Sequence, residues 1–304
     1  MSGTSTSTPS PIIRCGPAGW AHKHWEGAVY PQGLGPDFSA LEFMAERFDT
    51  LEVTSSFYHM VRPDIARYWA RLISGNPRFR FTARLHRQFT HERQVDEASV
   101  RQFTAGLMPL LEQRRLGCLV MQFPSSFRFT TENRAFLIEL RRLFHEFPLV
   151  AELRHASWNL DEAAGTLIDY HIGFANLDQP QSVRSMPPTS RLTWRVGYVK
   201  LHGRHCGPGF DLFDDRPYAV SGNDYLYSAE ELAEWQARIQ NIARFSESTY
   251  VTFNNDAAGR SVINALQMKS LLASAEPVAA PPGRLAAPAE SIPTQSPLFA
   301  HRAA

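Results

Sequence analysis

Short, apolar, β-prone runs alternate along the chain with segments of helical periodicity, and this alternation constrains the fold more than any other feature. Eight such runs occur, and most are apolar throughout rather than alternately apolar and polar. Uninterrupted apolar character is expected of parallel strands that helices cover on both faces. Eight strands that alternate with about seven helices in roughly 260 residues predict a closed, TIM-type (β/α)8 barrel of the α/β class rather than an open sheet.

The bounds of the elements follow from where each pattern starts and stops. The strands are expected at Ile12–Cys15, Thr50–Val53, Phe79–Thr82, Cys118–Gln122, Leu149–Glu152, Ile172–Ala175, Tyr198–Leu201 and Tyr250–Phe253. The helices are expected at Phe38–Phe48, Pro63–Ile73, Glu97–Arg115, Asn133–Glu146, Asp161–Tyr170, Ala229–Phe245 and Gly259–Leu272. The link Leu177–Gly197 is rich in Pro and Ser and too short for a full helix, so we expect an irregular sixth unit. We interpret the Gly-, Asp- and Tyr-rich stretch His202–Tyr227 as a lid.

The composition indicates one domain with a tail at each end. A single barrel over residues 12–275 is normal for a chain of 304 residues. Residues 1–11 are rich in Ser and Thr, and residues 276–304 are rich in Ala and Pro. Both tails are therefore predicted to be disordered.

Composition and motifs exclude several function classes. The net charge of +1 gives no overall attraction to nucleic acid or membrane, so any anion site must be local. Cys15, Cys118 and Cys206 are far apart and form no C-x-x-C pair, which argues against a disulfide framework and a cysteine zinc site. No signal peptide or spanning segment is evident, and a cytoplasmic location is expected. No dinucleotide fingerprint or nucleophile elbow occurs, so no nucleotide cofactor is expected.

The residues that follow the predicted strands are the candidates for a functional site. In a parallel barrel the carboxyl ends of the strands meet at one mouth, where active sites form. The candidate catalytic residues are Glu52, Glu152, His155, Asp178 and His202. The candidate substrate-binding residues are Trp20, Tyr58, Arg84, His91, Gln122, Arg154, Trp158, Lys200, Asn254 and Asn255.

Glu52 and Glu152 are suited to general acid–base catalysis. Arg84, Arg154 and Lys200 are suited to binding an anionic group. Glu52 lies in an apolar run, where a carboxylate needs a partner such as Arg84 or Arg154, and a structural pair is an open alternative to catalysis. Glu152 and Arg154 share a strand face and are open to the same structural reading. Glu52, Glu152, His155 and Asp178 could together hold a divalent cation, but this alternative is not favoured, because no ligand motif of high specificity is present.

The same positions resemble the YecE-like family, also known as domain of unknown function 72. The matching stretches are Gly19-Trp20 with Trp25, Gly27 and Tyr30-Pro31, then Leu51 to Tyr58, Thr90-His91, Gln122 to Pro124, Glu152 to His155 with Ser157-Trp158, Tyr198 to Gly203, and Phe253 to Asn255. The resemblance implies a TIM-like barrel and assigns no reaction. This chain has Thr54, Arg84 and Lys200 where the family usually has Asn, Lys and Arg. Both basic exchanges keep the positive charge.

The C-terminal tail carries a separate signal. Gln295, Leu298 and Phe299 occupy the fixed positions of Q-x-x-L-F, which resembles the pentapeptide by which bacterial proteins dock on the DNA sliding clamp. An accidental apolar pair, or a segment that folds back on the barrel, remains the alternative.

Three functions follow from these observations. The first is a hydrolase for a phosphoester or glycosidic bond of nucleic-acid or nucleoside type, tethered to the clamp. The second is an enzyme for a sugar-like or phosphorylated metabolite. The third is a barrel that binds a ligand without catalysis.

Overall fold

The computed structural model describes residues 11–205 and 224–274, which form a ring of eight parallel strands with helices outside it. The strands are β1 (Ile13–Pro17), β2 (Thr50–Val53), β3 (Arg80–Arg84), β4 (Leu116–Gln122), β5 (Leu149–Glu152), β6 (Gly173–Asp178), β7 (Val196–Leu201) and β8 (Ser248–Phe253). The helices within these ranges are α1 (Ala40–Ala45), α2 (Pro63–Leu72), α3 (Arg87–Thr90), α4 (Glu97–Glu112), α5 (Thr131–Leu143), α6 (Asp161–Asp169), α7 (Ala229–Ala243) and α8 (Arg260–Ser274). The predicted TIM-type barrel is confirmed.

The ring closes between the first two strands. Neighbouring strands pair in the order β1-β8-β7-β6-β5-β4-β3-β2, and every pairing is parallel. A bridge between Ala18 and Glu52 joins the two ends of this series, and the Gly19 amide donates to the Glu52 carbonyl oxygen at 2.9 Å. A Cβ atom at Gly16 would lie 1.9 Å from the carbonyl oxygen of Thr50. Glycine is therefore what lets β1 approach β2.

The alternation of side chains along each strand separates two cores. On β4, Cys118 and Val120 point into the barrel and pack there with Tyr198 and Tyr250. The intervening Leu119 belongs to the larger core between the strands and the helices. Because successive residues of a strand face opposite ways, this parity decides which polar residues reach the barrel interior.

The predicted helices are present, with ends that differ by a few residues. Ser228 caps α7 as a capping box, because its hydroxyl accepts from the Glu231 amide while the Glu231 carboxylate accepts from the Ser228 amide. Pro63 occupies the first turn of α2, where its missing N–H costs nothing. The single-turn helix α3 was not predicted, because its basic sequence has no apolar period.

The link between β6 and β7, residues 179–195, contains no helix, as predicted. Buried amide side chains hold it in place instead. Gln179 donates to the carbonyl oxygens of Arg154 at 3.1 Å and Met186 at 3.3 Å, and Asn176 donates to that of Arg191 at 2.9 Å. These contacts satisfy backbone groups that a helix would otherwise have paired.

Several predictions fall outside the described residues. These are the disorder of both tails, the clamp-like segment, Cys206 and most of the proposed lid. Within residues 11–205 and 224–274, every helix is too short or too polar to span a bilayer.

Candidate active site

Charged side chains fill the barrel interior at the carboxyl ends of the strands. Glu52 of β2, Glu152 of β5 and Lys200 of β7 have no exposed surface, and Arg84 and Arg154 are also buried. All five lie at inward-facing positions of their strands or of the residues directly after them. We call these five residues the buried charge cluster.

Glu52 is held by three donors. The Arg84 Nε donates to Glu52 Oε1 at 2.6 Å, the Tyr198 hydroxyl donates to Oε2 at 2.7 Å, and Lys200 Nζ lies 3.0 Å from Oε2. Burial raises the pKa of Glu52, but the charges of Arg84 and Lys200 outweigh burial and bring the pKa to about 2. Glu52 is therefore ionised at neutral pH.

Glu152 is held in the same way by two cations. Arg154 donates to Glu152 Oε1 through Nε at 3.0 Å and Nη2 at 2.7 Å, and Lys200 Nζ donates to Oε2 at 2.9 Å. Burial again raises the pKa, and Lys200 and Arg154 outweigh it, so the pKa of Glu152 lies well below its usual range. Lys200 thus binds both carboxylates at once.

A chain of polar contacts connects the two carboxylates by a second route. Arg84 Nη2 donates to Asn254 Oδ1 at 3.0 Å, which turns the Asn254 amide nitrogen toward His202 Nδ1 at 3.1 Å. His202 Nδ1 therefore accepts the hydrogen bond from the Asn254 amide. The ring proton is then on Nε2, which lies 3.3 Å from Glu152 Oε1. Burial, assisted by Arg154, lowers the pKa of His202 to about 4, so the ring is neutral at pH 7.

Two further polar residues, Gln122 and His91, lie near the buried charge cluster. Gln122 pairs in register with Glu152, shares the inward face of Cys118 and Val120, and is 8% exposed. Its buried Oε1 has no hydrogen-bond partner among the described residues. Burial, with a contribution from Arg154, lowers the pKa of His91 to about 4.

The buried charge cluster has three cations against two carboxylates, which leaves one positive charge. Both carboxylates are ionised and paired with cations, so in this state they can accept protons or stabilise positive charge but cannot donate protons. Both histidines are neutral. The arrangement suits an anionic ligand group bound beside neutral imidazoles.

The structure separates two predicted catalytic residues from this cluster. Asp178 lies on the outer face of β6, where it accepts from Trp235 Nε1 at 2.6 Å and pairs with Arg204 at 2.9 Å. Burial raises the pKa of Asp178. His155 Nδ1 accepts from the Ser157 amide at 3.1 Å and caps the short helix after β5. The prediction that both side chains face the barrel mouth with Glu52 and Glu152 was wrong. Asp178 directly follows the inward-facing Leu177, and His155 lies three positions after the inward-facing Glu152, so both have the opposite strand parity.

The positions of Asp178 and His155 also argue against the divalent-cation site that the sequence analysis left open. Glu52 and Glu152 are bound to cations of the protein, and Asp178 and His155 lie elsewhere. The four residues do not form one ligand set.

The predicted aromatic ligand platforms pack within the protein. Trp158 is 1% exposed and donates to the Phe127 carbonyl oxygen at 2.8 Å. Trp20 packs against Trp69 of α2 and Phe81, on the outside of the barrel. Their apolar contacts explain their positions without a ligand.

Two further candidates also differ from the expectation. Tyr58 is 42% exposed and contacts the edge of Phe57. Asn255 is fully buried and donates to the Tyr225 carbonyl oxygen at 2.8 Å and to Asn264 Oδ1 at 2.9 Å, so it connects the loop after β8 to the segment before α7 and to helix α8. The residue that the sequence analysis missed is Tyr198. The sequence could have indicated this residue, because it lies two positions before Lys200 and therefore on the same face of β7.

With this geometry established, comparison with known proteins identifies the family. Residues 14–288 match the sequence profile of the family described as protein of unknown function DUF72. The chain belongs to this family.

Similarity to known proteins covers most of the chain. It is 24% identical over 278 residues to UPF0759 protein YunF of Bacillus subtilis (strain 168), a match that covers 86% of this chain and 95% of that protein. A DUF72 family structure from Thermotoga maritima MSB8 is 28% identical, has a TM-score of 0.74, and is matched over 86% of this chain and 100% of that one. A DUF72 family structure from Enterococcus faecalis V583 is 21% identical, with a TM-score of 0.75 over 90% of this chain and 100% of that one. The barrel of this chain is thus the DUF72 fold.

Proposed function

We propose that this protein is a hydrolase that binds a phosphoester of nucleic-acid or nucleoside type in the barrel mouth. The observation that carries the proposal is the buried charge cluster with its one excess positive charge. A phosphodiester carries one negative charge, which this excess would neutralise.

The burial of the cluster supports a functional role. Barrel interiors are usually filled with branched apolar side chains, and apolar residues of similar volume are often as stabilising as buried ion pairs, or more so. Five buried charges at the catalytic end of the barrel are therefore poorly explained by stability alone. Arg84 and Arg154 offer planar donor forks of the kind that recognise phosphate.

Gln122 adds a second recognition group. Its buried Oε1 is an acceptor without a partner in the described part of the chain. A hydroxyl group of the ligand, or the attacking water, would donate to it. A sugar phosphate or a nucleotide carries both the anion and the hydroxyl that this lining suits.

His202 is the residue best placed to act as the base. Its Nδ1 has a lone pair that accepts from Asn254, and its Nε2 faces Glu152, which would stabilise the imidazolium. In the proposed step the attacking water displaces the Asn254 amide from His202 Nδ1 and gives a proton to that nitrogen. The water oxygen forms a bond to phosphorus, and the bond from phosphorus to the leaving oxygen breaks. The anionic ligand would raise the low pKa of His202 toward neutrality, because a nearby negative charge favours the protonated ring.

The experiment uses inorganic phosphate and bis(4-nitrophenyl) phosphate as probes. Phosphate should bind with a stoichiometry of one, and Arg154→Met should weaken it while the exposed Arg62→Gln should not. His202→Asn should lower kcat on the diester by at least about 100-fold with a smaller effect on phosphate binding. Absence of both binding and turnover would contradict the proposal. Binding without turnover of any phosphoester would support the non-catalytic alternative.

A glycosidic substrate is the second candidate, favoured by the spacing of the carboxylates. Glu52 and Glu152 contact the same Lys200 Nζ at 3.0 and 2.9 Å, which places these oxygens closer than the about 6.5–9.5 Å used by inverting glycosidases. A retaining mechanism would need one of them protonated, and the cations hold both ionised. Turnover of 4-nitrophenyl glycosides without turnover of phosphoesters would favour this candidate.

We also propose that the tail attaches this enzyme to a bacterial DNA sliding clamp through Gln295, Leu298 and Phe299. A short peptide that becomes ordered on binding should have micromolar affinity, about 8 kcal/mol. The peptide of residues 292–300 should bind a clamp in calorimetry, and Leu298→Ala with Phe299→Ala should abolish binding. A loss of barrel stability in the full chain with this double substitution would instead mean that the tail packs on the barrel. If the wild-type peptide does not bind, the metabolite-enzyme alternative gains support.

A further inference from the structure

A second group of ligand-type side chains lies where the first and last strands of the barrel meet. His22 and His24 follow β1, and Asp256 follows β8, more than 230 positions later in the sequence. One ligand atom from each of the three lies within 4.8 Å of the others. His22 Nδ1 is 3.5 Å from Asp256 Oδ2.

The surrounding contacts hold these side chains in ligand orientation. His22 Nε2 lies 3.2 Å from the Ala18 carbonyl oxygen, a contact that places the ring proton on Nε2 and leaves the Nδ1 lone pair toward Asp256. The Asp256 carbonyl oxygen accepts from Trp25 Nε1 at 3.0 Å and lies 3.1 Å from His24 Nε2. Outer contacts of this kind orient histidine ligands at metal sites.

The backbone also provides room for the first ligand. Gly19 has a φ of +79°, and a Cβ there would lie 2.5 Å from His22 Nε2. A side chain at this position would displace the His22 ring. Glycine at this position therefore permits both the turn after β1 and the location of the ring.

From this arrangement we infer that His22, His24 and Asp256 form a site for a divalent transition-metal ion of the Zn²⁺ type. Two imidazoles and one carboxylate are ligands that such ions prefer, whereas Mg²⁺ and Ca²⁺ prefer oxygen ligands throughout. Tetrahedral ligand atoms around zinc lie about 3.4 Å apart, so small rotations of the exposed His24 and the half-buried Asp256 complete the site.

The ion would connect the loop after β1 to the loop after β8. Three protein ligands leave a fourth position for water or for an oxygen of a ligand. The inference goes beyond the proposed function, which is derived from the buried charge cluster with Gln122 and His202 and from the C-terminal tail. It is also independent of it, because Glu52, Glu152 and Lys200 are not among the ligands.

The test uses the full chain without an affinity tag, freed of metal by chelation. Zn²⁺ titrated in calorimetry should bind with a stoichiometry of one, and Co²⁺ should give the visible absorption of tetrahedral coordination. His22→Ala, His24→Ala and Asp256→Asn should each weaken Zn²⁺ binding by more than about tenfold, since even loss of an outer contact costs that much. His145→Ala, at an exposed histidine after α5, is the matched control and should bind like wild type.

A second measurement separates loss of the site from loss of the fold. Zn²⁺ should raise the Tm of wild type and of His145→Ala, and raise it less in the three site variants, because only binding to the folded state stabilises it. Circular dichroism of each metal-free variant reports folding. Wild-type protein that binds no Zn²⁺, or binding unchanged in all three folded site variants, would overturn the inference. Phosphate binding measured without metal is expected to be unaffected, so failure here is distinct from failure of the proposed function.

Discussion

Lys200 reaches across the barrel to Glu152, and its Nζ donates to Glu152 Oε2 at 2.9 Å although β6 separates their strands. The contact is possible because both side chains point to the barrel axis from the same end. The same ammonium lies 3.0 Å from Glu52 Oε2. Lys200 is therefore a positive charge that both carboxylates share.

Replacement of this lysine should destabilise the fold strongly. In Lys200→Met, Glu52 and Glu152 face each other without the shared cation, and loss of one partner of a buried pair typically costs about 3–5 kcal/mol. The free energy of unfolding in urea at pH 7 should fall by that amount, and the loss should shrink at lower pH as one carboxylate takes up a proton. Lys23→Met, at an exposed lysine, is the control and should change stability by less than about 0.5 kcal/mol. A loss for Lys200→Met as small as the control's would mean that the arginines alone balance the carboxylates.

The neutral buried histidine predicts a stability that depends on pH. The pKa of His202 is about 4 in the folded protein and about 6.5 in the unfolded chain. Between these values the unfolded chain binds a proton that the folded protein excludes, so stability is fully present above about pH 6.5 and falls as the pH is lowered toward 4. The slope from this one group is at most about 1.4 kcal/mol per pH unit.

Urea unfolding at a series of pH values measures this slope. His202→Asn should reduce it, while His59→Asn, at an exposed histidine, should leave it unchanged. His91, whose pKa is also about 4, acts in the same direction, and Glu52 with its pKa of about 2 continues the loss below about pH 4.5. Equal slopes for wild type and His202→Asn would show that folding does not lower the pKa of this ring.

Asp178 should act on stability rather than on ligand binding. Asp178→Asn removes the charge that pairs with Arg204 and weakens the contact with Trp235, so we expect a loss of about 1–3 kcal/mol in the free energy of unfolding. Phosphate affinity should remain that of wild type, whereas Glu152→Gln should change it. If Asp178→Asn instead weakened phosphate binding without a change in stability, Asp178 would have to be counted among the ligand-binding residues.

The junction of β1 and β2 should be intolerant of any side chain at Gly16. In Gly16→Ala the new Cβ meets the Thr50 carbonyl oxygen at 1.9 Å, and backbone cannot move aside as a flexible side chain would. We expect a loss of at least about 2 kcal/mol, toward the upper end of the range for overpacking. Gly75→Ala is the matched control, because no atom lies within 4 Å of its added Cβ, and it should be neutral or slightly stabilising. Thermal or urea unfolding of the two variants compares them directly, and equal stability would show that the strands separate without cost.

The amino-acid sequence by itself determined the barrel and most of its mouth. Strand and helix periods are local properties, so the bounds of Thr50–Val53 and Leu149–Glu152 were predicted without error. The carboxyl ends of parallel strands meet at one mouth, and this rule allowed Glu52, Glu152 and Lys200 to be predicted at the same end of the barrel.

Only the tertiary structure decided how those charges are paired and which candidates lie elsewhere. The sequence could not show that Lys200 binds both carboxylates, because that depends on the distance across the barrel. It could not show that Asp178 faces Trp235, since the predicted sixth strand ended three residues too early and left the parity of Asp178 undefined. His22, His24 and Asp256 were not recognised as a group, because barrel closure, and no local pattern, brings the segments after β1 and β8 together.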